Sequence, residues 1–70
     1  MSIDVSKNRP GAFDTALIAS SVGDEIVYWI GLFCGGAHKD NARRAYESGF
    51  VVLYTRRHER GFQYIAKRIK

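Results

Sequence analysis

Two rhythms of apolar and polar positions run along the chain, and the change between them marks its elements. Phe13, Ala16, Leu17 and Ser20 fall at helical spacing, with Asp14 where the helix dipole favours an acid. Residues 11–19 therefore predict a short helix, although the adjacent Leu17-Ile18 pair also suits a strand. Ser20 to Asp24 is a turn cluster. Glu25 to Phe33, EIVYWIGLF, is rich in β-branched and aromatic residues and apolar on both faces, which predicts a central strand or one covered on both sides. Gly31 inside it predicts a bulge or a close backbone approach, and Cys34-Gly35-Gly36 ends it. Residues 38–48, HKDNARRAYES, predict a second helix with Ala42, Ala45 and Tyr46 as a narrow apolar stripe. Gly49 then stands where a left-handed residue closes a helix.

The last third reads as a β-hairpin. Phe50 to Arg57 and Phe62 to Ile69 are strands joined by His58-Glu59-Arg60-Gly61. A four-residue loop pairs Arg57 with Phe62 and Leu53 with Ala66, whereas a three-residue loop with Gly61 at a bulge shifts the register by one. The first register is favoured because it gathers Val51, Leu53 and Thr55 with Ala66, Tyr64 and Phe62 on one apolar face. Residues 1–10 read as a flexible or loosely docked arm, ended by the Pro10-Gly11 turn signal. The expectation is one small α+β domain over residues 11–70, in the order helix, strand, helix, strand, strand. Its sheet would be three-stranded and antiparallel, packed by one or two helices.

Length sharpens this picture. Seventy residues lie near the lower limit for a chain that folds unaided, so a partner or a second copy is expected to matter. Ser2 to Pro10 is polar and no apolar run reaches membrane-spanning length, which predicts neither a signal peptide nor a membrane segment. The single cysteine, Cys34, permits no intrachain disulfide, and the cytosol is the expected location.

Little in the pattern suits catalysis. Cys34 and His38 lie four residues apart and could pair to activate a thiolate, but no third orienting group accompanies them. With His58 they are three candidate ligands whose spacing matches no usual zinc pattern. Asp24 and Glu25 are adjacent, so on a strand they would point to opposite faces rather than act as an acid–base pair. Gly35-Gly36 before a helix resembles an anion-binding helix start but lacks a following Gly-Lys-Ser/Thr. The reading is a non-enzymatic protein with no cofactor and no metal.

Charge supplies the strongest constellation. The net charge of +4 is uneven: residues 1–35 are net −2, residues 36–49 net +1 and residues 50–70 net +5. Arg43 and Arg44 lie on the second helix, Arg56, Arg57 and Arg60 surround the hairpin tip, and Lys67, Arg68 and Lys70 extend the last strand. Guanidinium groups suit phosphates, and Tyr54, Phe62 and Tyr64 interleave with them as rings that could stack on bases. In so small a protein most aromatics must build the core, so Tyr54 and Tyr64 are read chiefly as core residues. The candidate binding residues are Arg43, Arg44, Arg56, Arg57, Arg60 and Arg68.

Two resemblances follow from these residues. ARRAYESGFVVLYTRRHERGFQYIAKRI, residues 42–69, is similar to the last helix and wing of winged-helix DNA-binding domains. That resemblance implies DNA contacts for Arg43, Arg44, Arg57 and Arg60, with the helix in the major groove and the wing on the backbone or minor groove. The chain departs from that family in having a strand and a Gly-Gly turn where a further helix should precede. GDEIVYWIG, ARRAYESGFVVLYTRR and GFQYIAKR resemble small proteins encoded in phages and prophages, over about residues 23–68. This implies an accessory protein in the bacterial host cytoplasm.

The leading expectation is a phage-type accessory protein that binds DNA or RNA through its basic hairpin and adjacent helix. The alternative is an inhibitor of anti-defence or anti-CRISPR type that docks on an acidic or nucleic-acid-binding surface of a host protein. A third reading is an assembly module in which an exposed edge strand drives homodimerisation.

Overall fold

A computed structural model describes residues 2–9, 11–33, 35–36, 38–59 and 61–70. Its elements are β1 (Ser2–Asp4), α1 (Ala12–Ala19), β2 (Glu25–Gly31), α2 (His38–Glu47), β3 (Val51–His58) and β4 (Gly61–Arg68). The α+β class expected from the sequence is the one observed. Two points differ. The sheet has four strands rather than three, in the order β1-β2-β4-β3, and it is mixed, because β1 runs parallel to β2.

The fourth strand comes out of the segment read as an arm. Ile3 pairs with Ile26, the Val5 N–H donates to the Val27 carbonyl at 2.9 Å, and Val5 is buried. Ile3 and Val5 alternate with polar neighbours, the strand rhythm in its shortest form. Docking β1 puts β2 inside the sheet, between β1 and β4, as its two apolar faces require.

The hairpin adopts the favoured register, with Arg57 opposite Phe62 and Leu53 opposite Ala66, and continues to His58 opposite Gly61. The irregularity in β2 falls at Tyr28 rather than Gly31: Val27 pairs with Ile65 and Trp29 with Tyr64, leaving Tyr28 as the extra residue. The bulge turns both Tyr28 and Trp29 toward the helices, where each joins the core cluster. Gly31 makes the close approach that its position predicts. A Cβ on Gly61, whose φ is +126°, would stand 2.6 Å from the Gly31 carbonyl carbon.

Both helices pack on one face of the sheet. Phe13 of α1 is fully buried and meets Tyr28 edge-on at 5.9 Å between ring centroids. α2 buries His38, Ala42 and Ala45, small side chains apart from the histidine, so it can lie close to the strands. Around them lie Val5, Ile26, Val51 and Ala66, with Leu53 and Tyr64 packed alongside, so the hairpin face expected to be core is core.

The helix ends are closed in different ways. Gly49, at φ +81°, sends its N–H to the Tyr46 carbonyl while the Phe50 N–H reaches Ala45, a Schellman pair that ends α2. At the end of α1 the Leu17 carbonyl accepts from the Ser20 N–H and Oγ and also takes a donor from outside the helix. Arg68 Nη1 donates to the Leu17 carbonyl at 2.9 Å and to the Ser20 carbonyl, tying β4 to α1. His38, at the start of α2, shares a 3.1 Å hydrogen bond with the Asn8 carbonyl and fastens the segment after β1. Among the described residues no helix is long and apolar enough to cross a membrane.

Candidate nucleic-acid interface

Along β3, side chains alternate between the two sides of the sheet, so consecutive arginines part company. The register places Val52, Tyr54, Arg56 and His58 on the side without helices, and Leu53, Thr55 and Arg57 on the helix side. β4 divides in the same way, sending Phe62, Tyr64, Ala66 and Arg68 to the helix side.

On the helix side α2 does not cover the whole hairpin. A groove of about 380 Å³ remains, lined by Tyr28, Lys39, Arg43, Tyr46, Leu53 and Tyr64. Lys39, Arg43 and Tyr46 follow one another at steps of four and three along α2, a single stripe facing the hairpin. Tyr64 and Leu53 come up from the sheet. Arg57 and Phe62 form the next cross-strand pair on this face, both exposed. Among the described residues Arg43 pairs with Glu47 in an exposed contact at 3.8 Å, which costs little to open. No ion pair of Lys39 or Arg57 occurs among the described residues.

The loop after β2 is fastened to Tyr64, one of the side chains lining this groove. The Tyr64 hydroxyl donates to the Leu32 carbonyl at 3.3 Å and Trp29 Nε1 donates to the Phe33 carbonyl at 2.6 Å. With its backbone held this way, the loop leaves Leu32 68% and Phe33 84% exposed. Gly36 has a packing role here. A Cβ on Gly36 would lie 2.7 Å from the Trp29 ring, so glycine lets the chain lie against the indole, whereas one on Gly35 would make ordinary contact at 3.6 Å.

The opposite side is built differently. Arg56 Nη2 reaches Glu25 Oε2 at 3.0 Å, and the Tyr54 hydroxyl donates to the same carboxylate. Glu25 is on β2 and Arg56 on β3, with β4 between them, so the pair spans two strand spacings, about 9.5 Å. The register puts Ile65 beneath that span, flanked by Val27 and Tyr54. Ile65 is 0% and Val27 3% exposed, on a face with no helix over it. The register lays the polar strap across them, with the Arg56 side chain still 53% exposed. The two donors, Tyr54 first and then Arg56, hold the Glu25 carboxyl below its ordinary 4.5. Burial, then the bond to Glu25, pushes the Tyr54 phenol up.

The six arginines singled out in the sequence therefore do not form one cluster. Arg43 and Arg57 share the groove face. Arg44 lies across α2 from it, in a cleft with Asp14, Asn41 and Phe50. Arg56 is engaged by Glu25 on the other side of the sheet, and Arg68 is half-buried as the cap of α1. Arg60 lies outside the described residues, as does Cys34. His38 is buried and His58 lies on the helix-free side beside Asp4, Lys7, Ile30 and Glu59. Among the described residues no cluster of His, Cys, Asp and Glu could hold a metal ion.

Sequence reasoning missed Lys39 and Tyr46 as members of the site. Their spacing from Arg43 carried the signal, since all three fall on one helical stripe. No family model, curated protein or solved structure matches the chain.

Proposed function

We propose that this is a non-enzymatic nucleic-acid-binding protein, of the phage-accessory kind that its sequence resembles, acting in the bacterial cytoplasm. Its interface is the groove between α2 and the β3–β4 hairpin. One observation carries the reading: Lys39 and Arg43 rim an aromatic-lined groove, and Arg57 stands on the same face. Cations beside a concave apolar floor suit a polymer that offers phosphates and flat rings together. A plain solvated basic face would have no need of the groove. Arg68 and Arg56 leave the list of contacts, because each already has an internal partner.

The test is a gel shift at low salt with mixed-sequence DNA and RNA. Binding should weaken as salt rises, with a log–log slope of about −2 for three phosphate contacts. Retention of no nucleic acid at low salt would remove the proposal. A second reading, docking on a host protein, is favoured by the exposure of Leu32 and Phe33, which an apolar partner surface would cover. A nuclease-treated pull-down that still yields a stoichiometric protein partner, lost in Phe33→Ser, would select it.

A further inference from the structure

We infer that the groove takes an unpaired strand rather than a duplex, with a base lodged against Tyr46 and Tyr64; this rests on the nucleic-acid reading above. The shape of the site decides it. The apolar lining lies in a concavity of about 380 Å³ between a helix and a hairpin, room for a base or two. A base within a duplex shows only its edges, and its faces are closed by its neighbours in the stack. Only an unpaired base can lay its face against a tyrosine ring.

The rest of the surface agrees. Tyr46 is more than half exposed, with its ring available beside the cations Lys39 and Arg43. Phe62 lies two residues before Tyr64 in β4, on the same face, and like Tyr46 it is exposed. A second base therefore has a ring to meet next to Arg57. The backbone positions of Phe62 and Tyr64 are about 7 Å apart along the strand, a spacing an extended single strand can follow.

α2 is poorly made for the alternative, entry into a major groove. Its first residue, His38, is buried against the Asn8 carbonyl, whereas recognition helices lead with their N-terminal residues. Its exposed positions also include Asp40 and Glu47, which would face phosphates. Both acids oppose docking of α2 along a phosphate backbone; Glu47 contacts Arg43 at 3.8 Å, an exposed pair that a bound phosphate can replace.

Fluorescence anisotropy distinguishes the cases, using a labelled mixed-sequence strand of about 12 nucleotides and the duplex of the same sequence in about 50 mM salt. The single strand should bind at least about tenfold more tightly than the duplex. Tyr46→Ala should weaken single-strand binding by about 5- to 100-fold. Tyr46→Trp should retain it, as should Ile18→Ala, an exposed apolar position on α1 away from the groove. Unchanged circular dichroism of the variants establishes that the fold survives. Equal affinity for strand and duplex, with Tyr46→Ala harmless, would overturn this inference and leave nucleic-acid binding standing. Binding of neither would overturn both and favour a protein partner.

Discussion

Arg56 and Arg57 are adjacent in the chain and opposite in circumstance. Arg56 is bound across two strand spacings to Glu25, together with Tyr54, and closes a face that has no helices over Ile65 and Val27. Arg57 stands exposed beside Phe62, at the end of a groove that α2 leaves open. One side of the hairpin has used its charge to finish the fold. The other keeps its charge toward solvent. A count of basic residues cannot see this division, because the β period of two separates neighbours that composition adds together.

Ile65 carries the largest expected effect. If the strap makes the helix-free face a true interior, Ile65→Ala should cost about 2–5 kcal/mol, like a core truncation. In a domain of this size each kcal/mol is about 4–8 °C of melting temperature, read by circular dichroism. A cost under about 1 kcal/mol would mean that the strap shelters nothing. Gly61→Ala should come next, at about 2–3 kcal/mol, because its Cβ would meet Gly31 backbone at a φ that side chains avoid. Gly49→Ala, at a φ of +81° but with open space around its Cβ, should cost about 1 kcal/mol.

The arginine pair itself gives a smaller but more specific contrast. Arg57→Ser should reduce the salt slope of nucleic-acid binding by about 0.7–1 and leave melting unchanged. Arg56→Ser should do the reverse, lowering the melting temperature while hardly altering the slope. If both variants lose affinity equally, the division between the two faces has no functional meaning.

Acidity gives the mildest effect. Glu25 is held below 4.5 when folded, by Tyr54 and then Arg56. Between that folded value and 4.5 the unfolded chain binds more protons, so this stabilisation is complete above 4.5 and is lost as pH falls through the folded value. Asp24, held down chiefly by the Ser21 N–H, acts in the same direction. Melting temperature should therefore fall below about pH 4.5, and fall less steeply in Glu25→Gln.

Much of the fold was legible from local pattern. Gly49 ended α2 where its position in the sequence required, and the apolar face of Val51, Leu53, Tyr64 and Ala66 selected the hairpin register. The strand at Ser2–Asp4 escaped notice because three residues give almost no periodicity, and its partner β2 lies more than twenty residues away. The bulge at Tyr28 was equally hidden. Gly31 was the visible irregularity in β2, yet it serves the contact with Gly61, and the extra residue is an aromatic drawn into the core against Phe13.

The site divides along the same line. Local pattern was enough for the second helix, the central strand and a basic C-terminal third, and it favoured one hairpin register, since periodicity, turn residues and charge are properties of short stretches. At residues 11–19 it left helix and strand both open. Tertiary structure decided which of those charges stay available. Inserting β4 between β2 and β3 brings Glu25 over to Arg56, and docking α1 against the end of β4 takes up Arg68. The seating of α2 turns Lys39, Arg43 and Tyr46 toward Leu53 and Tyr64. Each of these depends on strands and helices distant in the chain becoming neighbours, and no local rhythm of residues encodes that.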